Sequence, residues 1–406
     1  MSNRKNIWII NEYAGSPYNG MEFRHYYLSK ELIKLGYNVT IISASYSHLF
    51  KNLPVANEKF NFENIDGINY VWIKVPQYSS SHSKKRVLKW FIYALSLFFL
   101  PIKKLTKPDF IIVSPMQTMP ILPALKWAKK LKSKVIFEVK DIWPLSIQEL
   151  GSYSSSHPFI KLLKYFEKMS IEKSDAIVSV LPNYGEYLKE EGYNKPFYYI
   201  PNGVLLEEMQ NAEPLDEKIE QQIPKDKFIV GYAGTIGIAN ALEYFIQAAE
   251  LLKNNKDIVF VIVGEGSEKL KLIQQSSQLS NVIFLPAIPK KQIQSLLQKF
   301  DACYIGLQSK ELFKYGVSPN KLFDYMYAAK PIIFSINSPN SPVEQSNSGI
   351  VTSPNNQQEI ANAILKIYSL SKEERTQMGN NGKNFVCENH TFDKLTQKYH
   401  SLLQSL

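Results

Sequence analysis

Two short glycine segments and one Ser-Pro-Asn-Lys run hold the groups in this chain best suited to an anion. Gly234-Thr235-Ile236-Gly237 follows an apolar run, Phe228–Ala233, and precedes a helical pattern. Glycines at such a junction let backbone N–H groups approach an anion at a helix N-terminus. Gly264-Glu265-Gly266 ends the next apolar run, Ile258–Val263. Neither segment is specific alone, because GxGxxG and a P-loop lysine are both missing. Two glycine-rich strand ends in succession point to a nucleotide or diphosphate crevice. A third segment, Tyr315-Gly316-Val317-Ser318-Pro319-Asn320-Lys321, is a loop that runs into a helix. Ser318 and Pro319 are ordinary helix-start residues. Asn320 and Lys321 add first-turn backbone donors and an ammonium for a pyrophosphate. Asp324, one turn further, is placed to accept hydrogen bonds from ribose hydroxyls.

The first half offers a different set. Glu138, Lys140, Asp141 and Trp143 close an apolar run, at the end of a strand where α/β domains carry their function. Asp141 is the candidate base or hydroxyl contact of this group. Glu22 and Arg24 follow Gly20 at the start of a helix. Glu22 also suits compensation of the helix N-terminus, and Arg24 a solvated face. His25 reads as a helix-face residue, and no histidine shows metal-ligand spacing. Cys303 and Cys387 lie far apart with no CxxC, which excludes a disulfide scaffold, disfavours a structural zinc site and favours a reducing compartment.

These residues need a scaffold of alternating elements. Strands are predicted at Asn6–Asn11, Asn38–Ser43, Ile68–Val75, Phe110–Ser114, Lys134–Glu138, Ala176–Val180 and Phe197–Ile200, with helical patterns between them. Short continuous apolar runs such as Asp109–Val113 suit parallel strands covered on both faces. The pattern breaks into a polar, acidic stretch over 204–226 and then restarts. Strands follow at Phe228–Ala233, Ile258–Val263, Val282–Leu285, Ala302–Leu307, Pro331–Ser335 and Gly349–Thr352. The fold class is therefore α/β, two doubly wound Rossmann-like domains facing across a cleft. The expected divisions are 1–204, 205–386, and a C-terminal helix in 387–406 that packs back on the first domain.

Length, 406 residues, accommodates two such domains. A hydrophobic share of 45% and mean hydropathy of −0.21 exclude disorder and collagen. The net charge of +10 is uneven: residues 1–200 hold 27 basic and 16 acidic side chains, the remainder 20 and 21. A basic half implies an anionic partner, whether nucleic acid, a phosphorylated ligand or a membrane surface. The polar start Met1–Lys5 and the short run Ile7–Ile10 predict no secretory leader. Trp90–Leu100, the longest apolar run, is flanked by Lys84, Lys85, Arg86 and Lys89 and by Lys103, Lys104 and Lys107. It falls short of the roughly 20 residues of a spanning helix. It suits either a core helix with solvated ends or a helix lying in a membrane interface.

Taken together, several segments make the chain resemble the family-4 retaining glycosyltransferases of the GT-B fold, in particular bacterial O-antigen and capsule enzymes of the aminodeoxysugar (L-fucosamine) transferase type. They are Pro17–Glu22, Phe137–Pro144, Ile200–Val204, Gly231–Gly237, Val263–Gly266 and Ser318–Met326, in that order along nearly the whole chain. The resemblance implies a metal-independent transferase without cofactor. Its donor, a UDP-sugar, would lie on Gly20, Gly234, Thr235, Gly237, Gly264, Gly266, Ser318, Asn320 and Asp324. Asp141, Lys321 and Glu22 are the implied catalytic set, and Arg24, Lys140, Trp143, Gly316 and Val317 would touch substrate. Asp324 matches the second of the family's paired glutamates, whereas the first falls on Gly316. Thr235 and Asn240 stand where the family carries an Arg and a Lys for the diphosphate, so Lys321, with Arg24 a contributor, is the replacement cation. The implied acceptor is a polyprenyl-diphosphate-linked saccharide, met on the inner face of the bacterial cytoplasmic membrane by a basic first domain. N-acetyl-L-fucosamine is one sugar such an enzyme would move. Two rivals remain at this level: a nucleotide-sugar epimerase or hydrolase of the same fold, and a basic nucleic-acid-binding protein. The second lacks aromatics interleaved with Arg and any nucleic-acid motif, so no nucleic acid is expected.

Overall fold

A computed structural model of the protein describes residues 4–20, 23–78, 83–151 and 153–406. The chain divides into two compact units, Met1–Pro201 with Phe392–Leu406, and Asn202–Thr391.

The first unit is built on eight strands: β1 (Asn6–Ile10), β2 (Asn38–Ala44), β3 (Phe60–Ile65), β4 (Ile68–Ile73), β5 (Phe110–Val113), β6 (Lys134–Val139), β7 (Ala176–Ser179) and β8 (Phe197–Tyr199). Their order is β3-β4-β2-β1-β5-β6-β7-β8, parallel except for β3. Strand order reverses between β1 and β5, the doubly wound arrangement whose ligands sit beyond the carboxyl ends of those strands. Helices Lys84–Leu97, Ile121–Leu131 and Pro158–Lys173 cover one face, burying Trp90, Tyr93, Ala124, Trp127, Leu163 and Phe166 against Trp8, Ile10, Ile111 and Val113. On the helix Arg24–Lys34, Tyr27 packs on Phe392 of the C-terminal helix Phe392–Ser405, ring centroids 4.9 Å apart.

The second unit carries β9 (Phe228–Ala233), β10 (Ile258–Val263), β11 (Val282–Leu285), β12 (Ala302–Gly306), β13 (Ile332–Ser335) and β14 (Gly349–Val351). They form one parallel sheet in the order β11-β10-β9-β12-β13-β14, with its reversal between β9 and β12. Helices Leu242–Leu251 and Gln357–Ser369 bury Phe245, Ile246, Ile360 and Ile364 against Val230, Phe260 and Ile262. Phe245 stacks on Tyr304 at 4.3 Å.

One strand and two boundaries differ from the sequence reading. β3 is absent from the predicted strands, because Phe60–Ile65 is a polar, partly exposed edge strand; its signal is the Asp66-Gly67 turn, both residues at positive φ, which closes the β3–β4 hairpin. The division between units falls at 201/202 rather than in the polar stretch, which itself forms two short helices, Leu206–Gln210 and Glu217–Glu220. The helix Lys372–Asn389 stays in the second unit, where Gly379 lets it approach so closely that a Cβ would lie 1.9 Å from the Ala329 carbonyl oxygen.

Candidate active site

Beyond β9 the backbone keeps a strand-like alternation. The N–H groups of Gly234 and Ile236 donate to the carbonyls of Val263 and Glu265, at 3.0 and 2.9 Å. Those of Thr235 and Gly237 find no acceptor among the described residues. Gly264 and Gly266 are explained by the same contact. A Cβ on Gly264 would sit 1.9 Å from the Gly234 carbonyl oxygen, and one on Gly266 2.1 Å from that of Ile236. These two glycines therefore let two strand-end loops pack backbone to backbone, a different physical need from the ligand approach expected of them. Gly237 has open space: a Cβ there would meet only Thr235 Cγ2, at 3.7 Å.

Lys321 reaches this loop from the helix Asn320–Tyr327. Its Nζ donates to Tyr232 Oη at 2.6 Å and Asn240 Oδ1 at 2.9 Å, and lies 4.4 Å from the Tyr232 ring centroid. A Cβ on Gly234 would stand 2.9 Å from it, so glycine there leaves room for the ammonium. No carboxylate pairs with Lys321 among the described residues. Burial without a counter-charge pulls its pKa from 10.5 down to about 7. A cation held by neutral oxygens next to two unaccepted N–H groups is set out to receive an anion. Asn240, standing where the resembling family has a cation, here holds the one supplied by Lys321.

The neighbouring residues are less free. Asp324 is buried and accepts from Lys290 Nζ through both carboxylate oxygens at 2.7 Å, while Gln294 Nε2 donates to its carbonyl at 3.0 Å. A ribose would have to share that carboxylate with Lys290, a residue that no sequence spacing singles out. Ser318 Oγ accepts from the Asn202 N–H at 3.0 Å, and its carbonyl from Asn202 Nδ2 at 2.7 Å, so Ser318 fastens the loop. Gly316 takes φ +104 at the end of the 3-10 turn Glu311–Tyr315, Val317 is buried, and Asn320 is exposed.

In the first unit, Glu138 at the end of β6 is wholly buried. Arg24 Nε and Nη2 donate to its Oε1 at 3.1 and 2.9 Å, His25 Nε2 lies 2.7 Å from Oε2, and Tyr399 Oη also donates to Oε1. Asn11 Oδ1 accepts from the Tyr13 N–H, which turns Nδ2 toward His25 Nδ1 at 3.1 Å. That amide donates, so the imidazole proton belongs on Nε2, facing the carboxylate. Burial alone would raise the Glu138 carboxyl, but Arg24 and His25 hold it well below the usual range. Arg24 Nη2 also donates to the Ile200 carbonyl at 2.8 Å. Two expectations are corrected by this hub. Arg24 is neither a solvated residue nor positioned for substrate, because its guanidinium is committed to Glu138 and the chain end of β8. His25 is core, 1% exposed. Tyr399, far along the chain, carries no sequence signal that would join it to the hub.

Asp141 is exposed and Lys140 half-buried at the end of β6, while Trp143 is buried edge-on to Trp90 at 5.3 Å. Gly20 sits in the first unit at φ +88, closing a turn onto the Ser16 carbonyl, a conformation that favours glycine whatever it binds. Glu22 lies outside the described residues. The basic flank of the long apolar run is also corrected: Lys89 is fully buried, and Arg86 Nε is turned onto Tyr13 Oη at 3.3 Å.

Across almost its entire length the chain follows the fold of solved structures. Sucrose-phosphate synthase from Thermosynechococcus elongatus superposes with a TM-score of 0.76 at 15% identity, covering 99% of each chain. Anabaena HepE in complex with UDP and glucose gives 0.69 at 14% identity, covering 99% of this chain and 100% of that one. The fold is GT-B. Residues 214–385 match the model of glycosyl transferases group 1, and residues 18–208 match that of Glycosyltransferase Family 4. WcaI of Escherichia coli (strain K12), a glycosyl transferase named for colanic acid biosynthesis, is 25% identical over 300 residues, 71% of this chain and 72% of that one. The protein is a glycosyltransferase enzyme.

Proposed function

We propose that the enzyme moves a sugar, with retention, from a UDP-sugar held by the second unit to a polyprenyl-diphosphate-linked glycan held by the first. The observation that carries this reading is Lys321, a half-buried side chain whose ammonium has only neutral partners, beside the unaccepted N–H groups of Thr235 and Gly237. In such a transfer the leaving diphosphate gathers negative charge while the anomeric carbon becomes oxocarbenium-like. Preorganised N–H donors and a cation aimed at the departing phosphate lower that barrier, typically by several kcal/mol. Retention by front-face attack needs no protein nucleophile, since the diphosphate itself takes the acceptor proton. Asp141 is then a contact that orients the acceptor hydroxyl. UDP and glucose in the HepE complex support the donor class, and the colanic acid connection of WcaI supports a cell-surface polysaccharide as product. L-fucosamine-type donors are the first to test.

A lipid-linked acceptor would be met at an anionic bilayer on its cytoplasmic face. No helix among the described residues is long and apolar enough to cross a membrane. The exposed aromatics of the first unit support surface docking instead. Phe99 is 68% exposed with Lys59 Nζ 4.5 Å from its ring, Phe98 has Lys126 at 5.7 Å, and Phe62 has Lys104 at 5.7 Å. Leu95 and Lys103 are also exposed. Lysines over embedded rings suit an interface rich in anionic headgroups. The experiment is a panel of UDP- and GDP-sugars with and without lipid-linked saccharide. UDP released in an acceptor-dependent manner is the expected result; rapid turnover without acceptor would replace transfer by hydrolysis or epimerisation.

A further inference from the structure

Glu12 follows β1, beside the point where strand order reverses, and is wholly buried. Its Oε2 has one distant donor, Gln117 Nε2 at 3.5 Å, and its Oε1 has none among the described residues. Lys89, on the helix Lys84–Leu97, is equally buried, and its Nζ has no hydrogen-bond partner among the described residues. The ammonium stands 4.0 Å from the centroid of the Tyr13 ring and 6.0 Å from that of Tyr78. Glu12 and Lys89 do not close to ion-pair distance, although each alters the other's titration. Burial raises the Glu12 carboxyl against the pull of Lys89, and lowers Lys89 to about 8 against the pull of Glu12.

Two opposite charges buried apart from one another are costly, since neither recovers its lost hydration from the other. The cost is removed by a group that accepts from the ammonium and donates to the carboxylate at once. A hydroxyl does both; a phosphate oxygen accepts only and would meet the carboxylate's repulsion. The side chains packed around the pair are aromatic and themselves buried. Trp90 Nε1 donates to Tyr13 Oη at 3.0 Å, Arg86 lies 5.4 Å from the Trp90 ring, and Trp143 meets Trp90 edge-on. Flat apolar faces beside paired polar groups fit a pyranose, whose C–H faces are apolar and whose edge carries hydroxyls. Position agrees with chemistry, because the carboxyl ends of β1 and β5 are where a doubly wound sheet takes its ligand.

We infer that Glu12 and Lys89 form a hydroxyl-recognising subsite that selects the acceptor saccharide, its hydroxyl oxygen accepting from Lys89 Nζ and its proton donated to Glu12 Oε1. This rests on the transferase reading above, with the first unit as acceptor domain.

The test uses the full chain and a panel of p-nitrophenyl glycosides of common hexoses, N-acetylhexosamines and 6-deoxyhexoses, followed by saturation-transfer NMR, with UDP titrated separately. Wild type is expected to bind at least one glycoside. Glu12→Gln and Lys89→Met should each weaken it tenfold or more while leaving UDP affinity unchanged. Glu12→Asp, which keeps the charge, should recover part of the loss. Glycoside binding equal in wild type and both variants would overturn the subsite, as would no glycoside binding to wild type. Variants that alter only the melting temperature would mean the pair holds a bridging water only, which also overturns it. Failure of the donor reading is separate: it shows as absence of UDP binding to wild type, whatever the glycosides do. Should Glu12→Gln fail to fold, Lys89→Met, which removes a buried charge, carries the test alone.

Discussion

Arg24 and Lys321 are two cations of one type of place, each near the start of a helix in a doubly wound domain and each a candidate to face a diphosphate. Their surroundings separate them. Arg24 is matched by the buried Glu138 carboxylate and the backbone carbonyls of Ile200 and Pro201, so its charge is fully used inside the fold. Lys321 has a phenol and an amide oxygen, and no anion among the described residues. A charge whose partner is already present stabilises the protein; one whose partner is missing is available to a substrate. Residue type and position alone do not distinguish the two.

Breaking each site should therefore produce opposite phenotypes. The largest effect is expected from Arg24→Met, which strands Glu138 in the core. Urea unfolding should show a loss of about 3–5 kcal/mol, and whatever protein remains folded should still bind UDP. Lys321→Met should do the reverse, lowering kcat/KM for the donor about 10²–10³-fold while the unfolding midpoint holds or rises.

pH sharpens the same contrast. In the free enzyme the Lys321 ammonium is lost as pH rises through about 7, so kcat/KM should fall above that value in a profile that Lys321→Met lacks. Its contribution to stability follows the release of that proton: between about 7 and 10.5 the unfolded chain keeps the proton that the folded one has released, so stability rises with pH there. Glu138, held well below the usual range, contributes stability that is lost only when strong acid protonates it.

The glycines give a smaller comparison. Gly264→Ala drives a methyl into the Gly234 carbonyl and should cost about 1–3 kcal/mol and disturb UDP binding. Gly237→Ala, with open space around it, should leave the unfolding midpoint within about 0.5 kcal/mol. Last, Phe98→Ser with Phe99→Ser should reduce co-sedimentation with anionic vesicles without changing turnover of a soluble acceptor.

Much of the frame is legible in the sequence. β9, β10 and β11 run over Phe228–Ala233, Ile258–Val263 and Val282–Leu285 as expected, because continuous apolar runs bounded by Gly and polar residues have no other comfortable place than a parallel sheet covered on both faces. The loop after β9 and the helix bearing Lys321 are legible for a similar local reason. Partnerships are not. Lys290 with Asp324, Tyr399 with Glu138 and Lys89 opposite Glu12 join residues 34 to 261 positions apart, or lie across a buried gap that no pattern encodes. Lys89 is instructive: among basic neighbours it reads as a solvated charge, yet the helix turns it toward the core. Gly264 and Gly266 stand at the expected place for a different need, since a backbone packed on backbone and a backbone open to phosphate demand the same residue.

The most direct test is calorimetric titration of UDP into wild type and Lys321→Met at pH 6.5, where the ammonium is mostly formed. Wild type should bind, and the variant should lose most of that affinity while remaining folded. Equal affinity for the two would contradict Lys321 as the diphosphate cation, and with it the division between a cation that serves the fold and one that serves the substrate.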